Sequence, residues 1–333
     1  MNVKTLVTFL FLSLSTAGLA QEGLPVYSDY LSDNLYLIHP SMAGAANCAK
    51  VRLTGRQQWF GQQDAPALQT LSFNGRVGER SGLGFIAIND RNGYHSYKGA
   101  KLTYAHHLLF SRDEIDLNQL SFGVNVGFFQ STLDETTFYN NNPTPDPIIA
   151  GIVQTANYFN VDIGASYNYL DYYVHFTVHN AIQSNRYLYT SKEPTDLKRF
   201  ILNTGYTFGE DDGIQWEPSV MFQRISATKE TNVDLNMKLY KSMEFGRVWG
   251  GLSYRRSLDG AQYVAGTGNS PNQKLQYVSP LIGVNYKSFM FAYTYSYLVG
   301  DVRFDNAGFH QITVGLNLFC KAERYHCNCP AIN

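Results

Sequence analysis

Four cysteines and eight histidines are the residues of this chain with the most specific chemistry. Cys48 stands near the start, whereas Cys320, Cys327 and Cys329 crowd the last turn of sequence before Asn333. In an oxidising compartment such thiols form disulfides by default, and four cysteines allow three pairings between which a sequence does not choose. The competing chemistry is a metal held by Cys320, His326, Cys327 and Cys329, but that crowded spacing matches no standard zinc pattern. His175 and His179 share a face of an extended segment, roughly 13 Å apart at about 3.3 Å per residue, too far to ligate one ion together. His106 and His107 fall on opposite faces. A glycine-rich phosphate loop, H-E-x-x-H and G-x-S-x-G are all missing from the sequence. The residues therefore predict no catalytic group, no cofactor and no metal site, and point to disulfides joining the two ends of the chain.

The elements that would hold those ends follow from a period-two pattern that returns about fourteen times between Val51 and Phe319. In Leu120-Ser121-Phe122-Gly123-Val124-Asn125-Val126-Gly127-Phe128, apolar side chains alternate with small or polar ones, as on a β-strand with two unlike faces. A soluble sandwich also alternates. Here the apolar face is crowded with aromatics and the other face is polar, which is the pattern of a transmembrane barrel with lipid outside and a polar lumen inside. Composition agrees: 16% charged residues, 24 Tyr and 21 Phe suit strands and membrane interfaces. The net charge of −1 predicts no nucleic-acid partner.

Strands are expected near 51–60, 67–77, 82–91, 97–109, 117–131, 158–169, 171–180, 198–209, 214–227, 230–241, 244–256, 275–287, 288–299 and 307–319. Each is long enough for a tilted bilayer crossing. Short connections such as Leu170-Asp171 and Lys287-Ser288 alternate with long ones such as 132–157, 181–197 and 257–274, as in outer-membrane barrels with periplasmic turns and external loops. The chain thus reads as an all-β, antiparallel transmembrane barrel of about fourteen strands at 51–319. Both termini are expected in the periplasm.

Three further segments flank it. Residues 1–20 read as a signal peptide: Lys4, an apolar core from Leu6 to Leu14, and Gly18-Leu19-Ala20 before Gln21. Residues 21–50 do not alternate, and their Leu31, Leu35, Leu37 and Ile38 favour a plug folded into the lumen over a mobile periplasmic leader. The tail, 320–333, carries three of the cysteines. Barrel closure makes the first and last strands neighbours, so Cys48 and this tail are expected side by side at the periplasmic rim.

By parity, Phe289, Phe291, Tyr293, Tyr295 and Tyr297 point outward, with Ser288, Ala292, Thr294 and Ser296 inward. Likewise Arg52, Arg56, Arg76, Lys101, Asp162, His175, His179, Glu217, Asp234, Lys238 and Arg255 point into the lumen. Both signs occur there, so a structural network of charge pairs is expected; a solute pathway is the rival reading. An arginine at the inward Asn125 is expected to cost less than one at the outward Val124.

Several motifs also resemble the PorP/SprF family of outer-membrane proteins of the type IX secretion system of Bacteroidetes-type bacteria. They are Tyr27-Ser28-Asp29-Tyr30 through Asn34, His39-Pro40-Ser41-Met42-Ala43-Gly44, Arg56-Gln57-Gln58-Trp59-Phe60-Gly61 with Asp64-Ala65-Pro66-Ala67-Leu68-Gln69-Thr70, and Gly82-Leu83-Gly84-Phe85. His39 stands where the family usually has Asn, segment 257–274 looks inserted, and the cysteine tail is not a general feature. Phe319 is out of phase with Ile312, Val314, Leu316 and Leu318, the outward row of the last strand. The resemblance implies secretion or surface attachment of cargo, with partners among periplasmic machinery proteins and cargo, set in outer-membrane lipid. The rival function is a porin or small-solute transporter. Arg56, Trp59, Gly61, Pro66 and Gln69 are then candidate partner-binding residues beside the first outer hairpin, against simpler roles as interfacial anchor and turn.

Overall fold

The computed structural model describes residues 30–58, 64–111, 116–138, 149, 151–184, 188, 195–210, 213–259, 261–262, 272–299, 308–320 and 332. Fourteen antiparallel strands close into a barrel. They are β1 (Ala49–Gln58), β2 (Ala67–Val77), β3 (Ser81–Asn92), β4 (His95–Leu109), β5 (Asn118–Asp134), β6 (Val153–Tyr169) and β7 (Tyr172–His179), followed by β8 (Arg199–Tyr206), β9 (Ile214–Ile225), β10 (Thr231–Met243), β11 (Gly246–Ser257), β12 (Gln276–Tyr286), β13 (Phe289–Leu298) and β14 (Phe309–Leu318). Each strand pairs with its sequence neighbours, and β1 closes on β14 in the register Arg52↔Gly315 and Thr54↔Thr313. Closure leaves no strand edge in the lipid, where an unpaired backbone amide would cost several kcal/mol.

Two faces of opposite chemistry result. Leu53, Leu102, Phe128, Ile282 and Ile312 lie on the outer wall, each more than half exposed. Between them the alternate residues, such as Thr54, Thr103, Asn125 and Thr313, are buried. On β13 the aromatic row Phe289, Phe291, Tyr293 and Tyr297 is exposed, with Met290, Ala292 and Thr294 buried between. Ser288 belongs to the turn, not the inner face.

The strand ends depart from the sequence reading where the lipid ends. β5 and β6 run to Asp134 and from Val153, each 17 residues long, so the loop expected at 132–157 narrows to 135–152. Their outward residues past Phe128 and Phe159 include Gln130 and Asn157, which hydrogen-bond to each other at 3.2 Å. Apolar periodicity stops once the wall leaves the bilayer, while the hydrogen-bond ladder continues. Connections at the end carrying the barrel's first and last residues are short, as at 170–171, 244–245 and 287–288. Leu170 and Lys287 adopt positive φ in two of these turns. The opposite end carries the longest connections, 135–152, 180–198 and 258–275, alongside short ones at Gly93-Tyr94 and 226–230.

Val124 faces outward in mid-wall, paired with the equally outward Tyr104 and Ile163. Val124→Arg is expected to destabilise the barrel by about 2–4 kcal/mol, read from denaturant unfolding in lipid vesicles, whereas Val124→Leu should change little. Asn125 is not the tolerant contrast that its inward parity suggested. It is 1% exposed, accepts from Thr103 Oγ1 at 2.5 Å and donates to Asp162 Oδ2 at 3.3 Å, leaving no room for a longer side chain.

Candidate functional site

The lumen is occupied by the chain's own N-terminal segment. Residues 30–46 enter as a compact series of turns, including two short 3-10 helices at Leu35–Leu37 and Pro40–Met42, and are neither an α-helix nor a strand. Pro40 begins the second helix, where its missing N–H is not needed. Tyr30, Leu31, Tyr36, Leu37, Ile38, Met42 and Ala43 are all at most 5% exposed. Burying side chains of this size is worth about 1.5–3 kcal/mol each, which explains why an arm with this many apolar residues folds inward.

Polar side chains of the wall then satisfy the segment. Ser32 Oγ accepts from Thr313 Oγ1 on β14 at 3.0 Å, and Asn34 donates to Ser72 Oγ on β2 at 3.0 Å. Tyr36 Oη meets Thr103 Oγ1 on β4 at 2.5 Å, His39 Nδ1 meets Thr177 Oγ1 on β7 at 2.8 Å, and Ser41 Oγ meets Ser166 Oγ on β6 at 2.5 Å. Gly44 N–H donates to Asn74 Oδ1 at 3.1 Å, while Arg76 donates to the carbonyls of Gly44 and Ala45 at 2.9 and 3.0 Å. His107 Nε2 lies 3.0 Å from Ala43 O. Tyr30 Oη donates to Asp234 Oδ2 at 3.2 Å and accepts from Asn236 at 2.8 Å, both on β10. Burial and the Asp234 carboxylate hold the Tyr30 phenol well above its usual pKa, so it stays a hydrogen-bond donor.

Wall glycines make this approach possible. A Cβ on Gly82 would sit 1.9 Å from Ala43 O, and one on Gly123 would sit 2.3 Å from the Pro40 carbonyl carbon. Thus the motif His39-Pro40-Ser41-Met42-Ala43-Gly44 docks on the motif that begins at Gly82. The alternation at 120–128 places Gly123 on the inner face, and Gly82 joins it there. Small inward residues in several neighbouring strands were the available signal of a close-packed occupant.

The inward charges fall into separate groups. Asp162 Oδ2 is 2.6 Å from Lys101 Nζ and 3.2 Å from His179 Nδ1, and Asp162 Oδ1 accepts from Asn180 N–H at 3.0 Å. Asp234 takes a two-pronged ion pair from Arg255, with Nε to Oδ1 at 2.5 Å. Glu217 accepts from Tyr173 Oη at 2.7 Å and from Tyr240, and Lys238 Nζ lies 3.4 Å from Tyr240 Oη. Arg52 departs from the expected charge pairing. It is 1% exposed and donates to Val51 O, Leu316 O and Asn317 Oδ1, tying β1 to β14. Toward the long-loop end, Phe129 stacks between Tyr97 and Tyr158 at centroid distances of 5.1 and 5.7 Å. A cavity of about 20 Å³ beside Asp33, Tyr36, Lys50 and Asn74 has room for little more than one water.

Among the described residues, the candidate partner-binding side chains Arg56, Pro66 and Gln69 do not share a surface. Arg56 is buried, its guanidinium 5.5 Å from the Phe309 ring centre, and Pro66 is buried too. Gln69 faces outward and accepts from Asn89 Nδ2 at 3.1 Å. Trp59 and Gly61 lie outside the described residues, as do residues 1–29, Cys327, Cys329 and His326. Cys48 and Cys320 are joined by a disulfide across 272 positions, with Cα atoms 4.1 Å apart. It sits just beyond the pair Ala49↔Leu318 that closes the barrel. The Asn47 N–H donates to Ile332 O at 2.9 Å, so the tail returns to the same rim. Among the described residues, no three His, Cys, Asp or Glu side chains converge on a point.

A filled, closed barrel still leaves the family open. The family model for the type IX secretion system membrane protein PorP/SprF matches residues 19–316, nearly the whole chain. The chain belongs to the PorP/SprF family. It is therefore an outer-membrane protein of the type IX secretion system, and its kind is a non-enzymatic one. The occluding segment and its glycine seat both lie inside the region matched to PorP/SprF. Among solved structures, this PorP/SprF chain is similar to a Pseudomonas aeruginosa FadL homologue at 10% identity, covering 86% of this chain and 94% of that one, with a TM-score of 0.49. It is similar to the CymD monoaromatic hydrocarbon channel at 9% identity, covering 86% and 91%, with a TM-score of 0.47. CdiB from Acinetobacter baumannii shares 9% identity over 81% of this chain with a TM-score of 0.43, and the chain spans 59% of that protein's length. No curated protein matches the chain.

Proposed function

We propose that this barrel serves the type IX pathway by binding proteins, assisting the secretion or surface attachment of particular cargo, and neither conducts solutes nor catalyses a reaction. Residues 1–20 direct export and are removed, both barrel ends of the chain face the periplasm, and partners include periplasmic machinery proteins. The observation that carries this reading is the occupied lumen: residues 30–46 hydrogen-bond to wall residues on β2, β4, β6, β7, β10 and β14. A porin needs an open path, whereas a protein-binding barrel does not. Binding is assigned to the long connections 135–152, 180–198 and 258–275, because segments joining regular elements commonly carry function.

The test is a chromosomal deletion with tagged re-expression. Loss of the protein is expected to strand a specific surface protein inside the cell or release it to the medium, and the tagged barrel is expected to co-purify with that protein or with secretion machinery. Unchanged export and surface display, with impaired uptake of a small solute, would replace this reading by the transporter one.

A further inference from the structure

At the contact between the segment and the wall, polar atoms are buried without protein partners. His39, His175 and Asn203 are each 0% exposed. Among the described residues, His39 Nε2, both ring nitrogens of His175 and both amide atoms of Asn203 have no hydrogen-bond partner. His175 and Asn203 are directly paired across β7 and β8, and the His39 and His175 rings lie 5.0 Å apart, centre to centre, tilted by 42°. A buried polar group left unmet is costly, so several meeting at one place mark a site with an occupant.

We propose that His39 and His175 jointly bind one divalent metal ion of the zinc, nickel or copper class, with the Asn203 amide oxygen beside them, and that this ion pins the N-terminal segment to the barrel wall. Two imidazoles at about 2.0–2.1 Å from a shared ion hold their ring centres roughly 5 Å apart, the separation seen here. The other nitrogen of His39 is already committed: Nδ1 meets Thr177 Oγ1 at 2.8 Å, which leaves Nε2 as the free ligand atom. Such an outer hydrogen bond is the usual way a ligating imidazole is oriented. Neutral nitrogen donors favour these borderline ions over calcium or magnesium. The site is independent of cargo binding, so its failure leaves the proposed function standing, and the converse also holds.

The test uses full-length protein purified without a polyhistidine tag, stripped with a chelator and dialysed against Zn²⁺. One Zn²⁺ per chain is expected, with affinity falling at least about tenfold in His39→Ala and in His175→Ala, and by a similar factor in Thr177→Val. His310→Ala, on the outer wall beside Tyr293, should leave uptake unchanged. Folding is checked by the heat-dependent gel shift of barrels. Should His175→Ala fail to fold, His39→Ala still decides, because it alters the segment and not the wall. Cu²⁺-loaded wild-type protein should show hyperfine coupling to two imidazole nitrogens by electron paramagnetic resonance. No stoichiometric uptake at about 100 µM Zn²⁺, or uptake indifferent to both histidines, overturns the proposal.

Discussion

Deleting residues 24–44 is expected to turn a nearly silent barrel into a conducting one in planar-bilayer recordings. The segment buries Tyr30, Leu31, Tyr36, Leu37, Ile38 and Met42 inside the lumen, and the groups it leaves behind are Ser72, Asn74, Thr103, Ser166, Thr177 and Asp234, a surface that water enters readily. A gentler variant gives the same information. Gly82→Val would put a side chain where Ala43 O now sits, so the segment must lift, and partial conductance is expected. The heat-dependent gel shift separates an opened barrel from an unfolded one. A deletion variant that folds and stays silent would show that the remaining side chains, including the Tyr97, Phe129 and Tyr158 stack, close the lumen by themselves.

Replacing Arg255 by methionine is expected to destabilise the barrel by about 3–5 kcal/mol, because it strands the buried Asp234 carboxylate without its ion pair. Tyr30 Oη still donates to that carboxylate, but one phenol does not replace a guanidinium fork. Adding Asp234→Asn to Arg255→Met should recover most of the loss, since the cost lies in the unpaired charge and not in the missing contact. Denaturant midpoints of the two single variants and the double variant form the necessary cycle. Equal stability of Arg255→Met and the wild type would mean that water reaches Asp234 and the lumen is wetter than its burial indicates.

The strands were legible in the sequence because each spans the bilayer alone. Lipid on one side and polar groups on the other impose period two on every segment from Val51 to Leu318, and local alternation therefore carries the strand positions, the inward turn of Arg52, Asp162 and Asp234, and the nearness of Cys48 to the tail. Legibility ended where that physical cause ended. β5 and β6 continue past the lipid to Asp134 and from Val153 without an apolar row to mark them. Inside the lumen no periodicity applies at all. That Arg52 ties β1 to β14 by their carbonyls and that Ala43 lies on Gly82 depend on how the barrel closes and how the segment sits in the lumen. Those are contacts between residues far apart in the chain, fixed by closure and shape. Local alternation and motif spacing were enough for a two-faced wall of about fourteen strands and its family, and the apolar residues of 21–50 for a plug; the seat of that plug on Gly82 and Gly123 emerged only in the folded barrel, because it is a matter of volumes meeting and not of a repeating pattern.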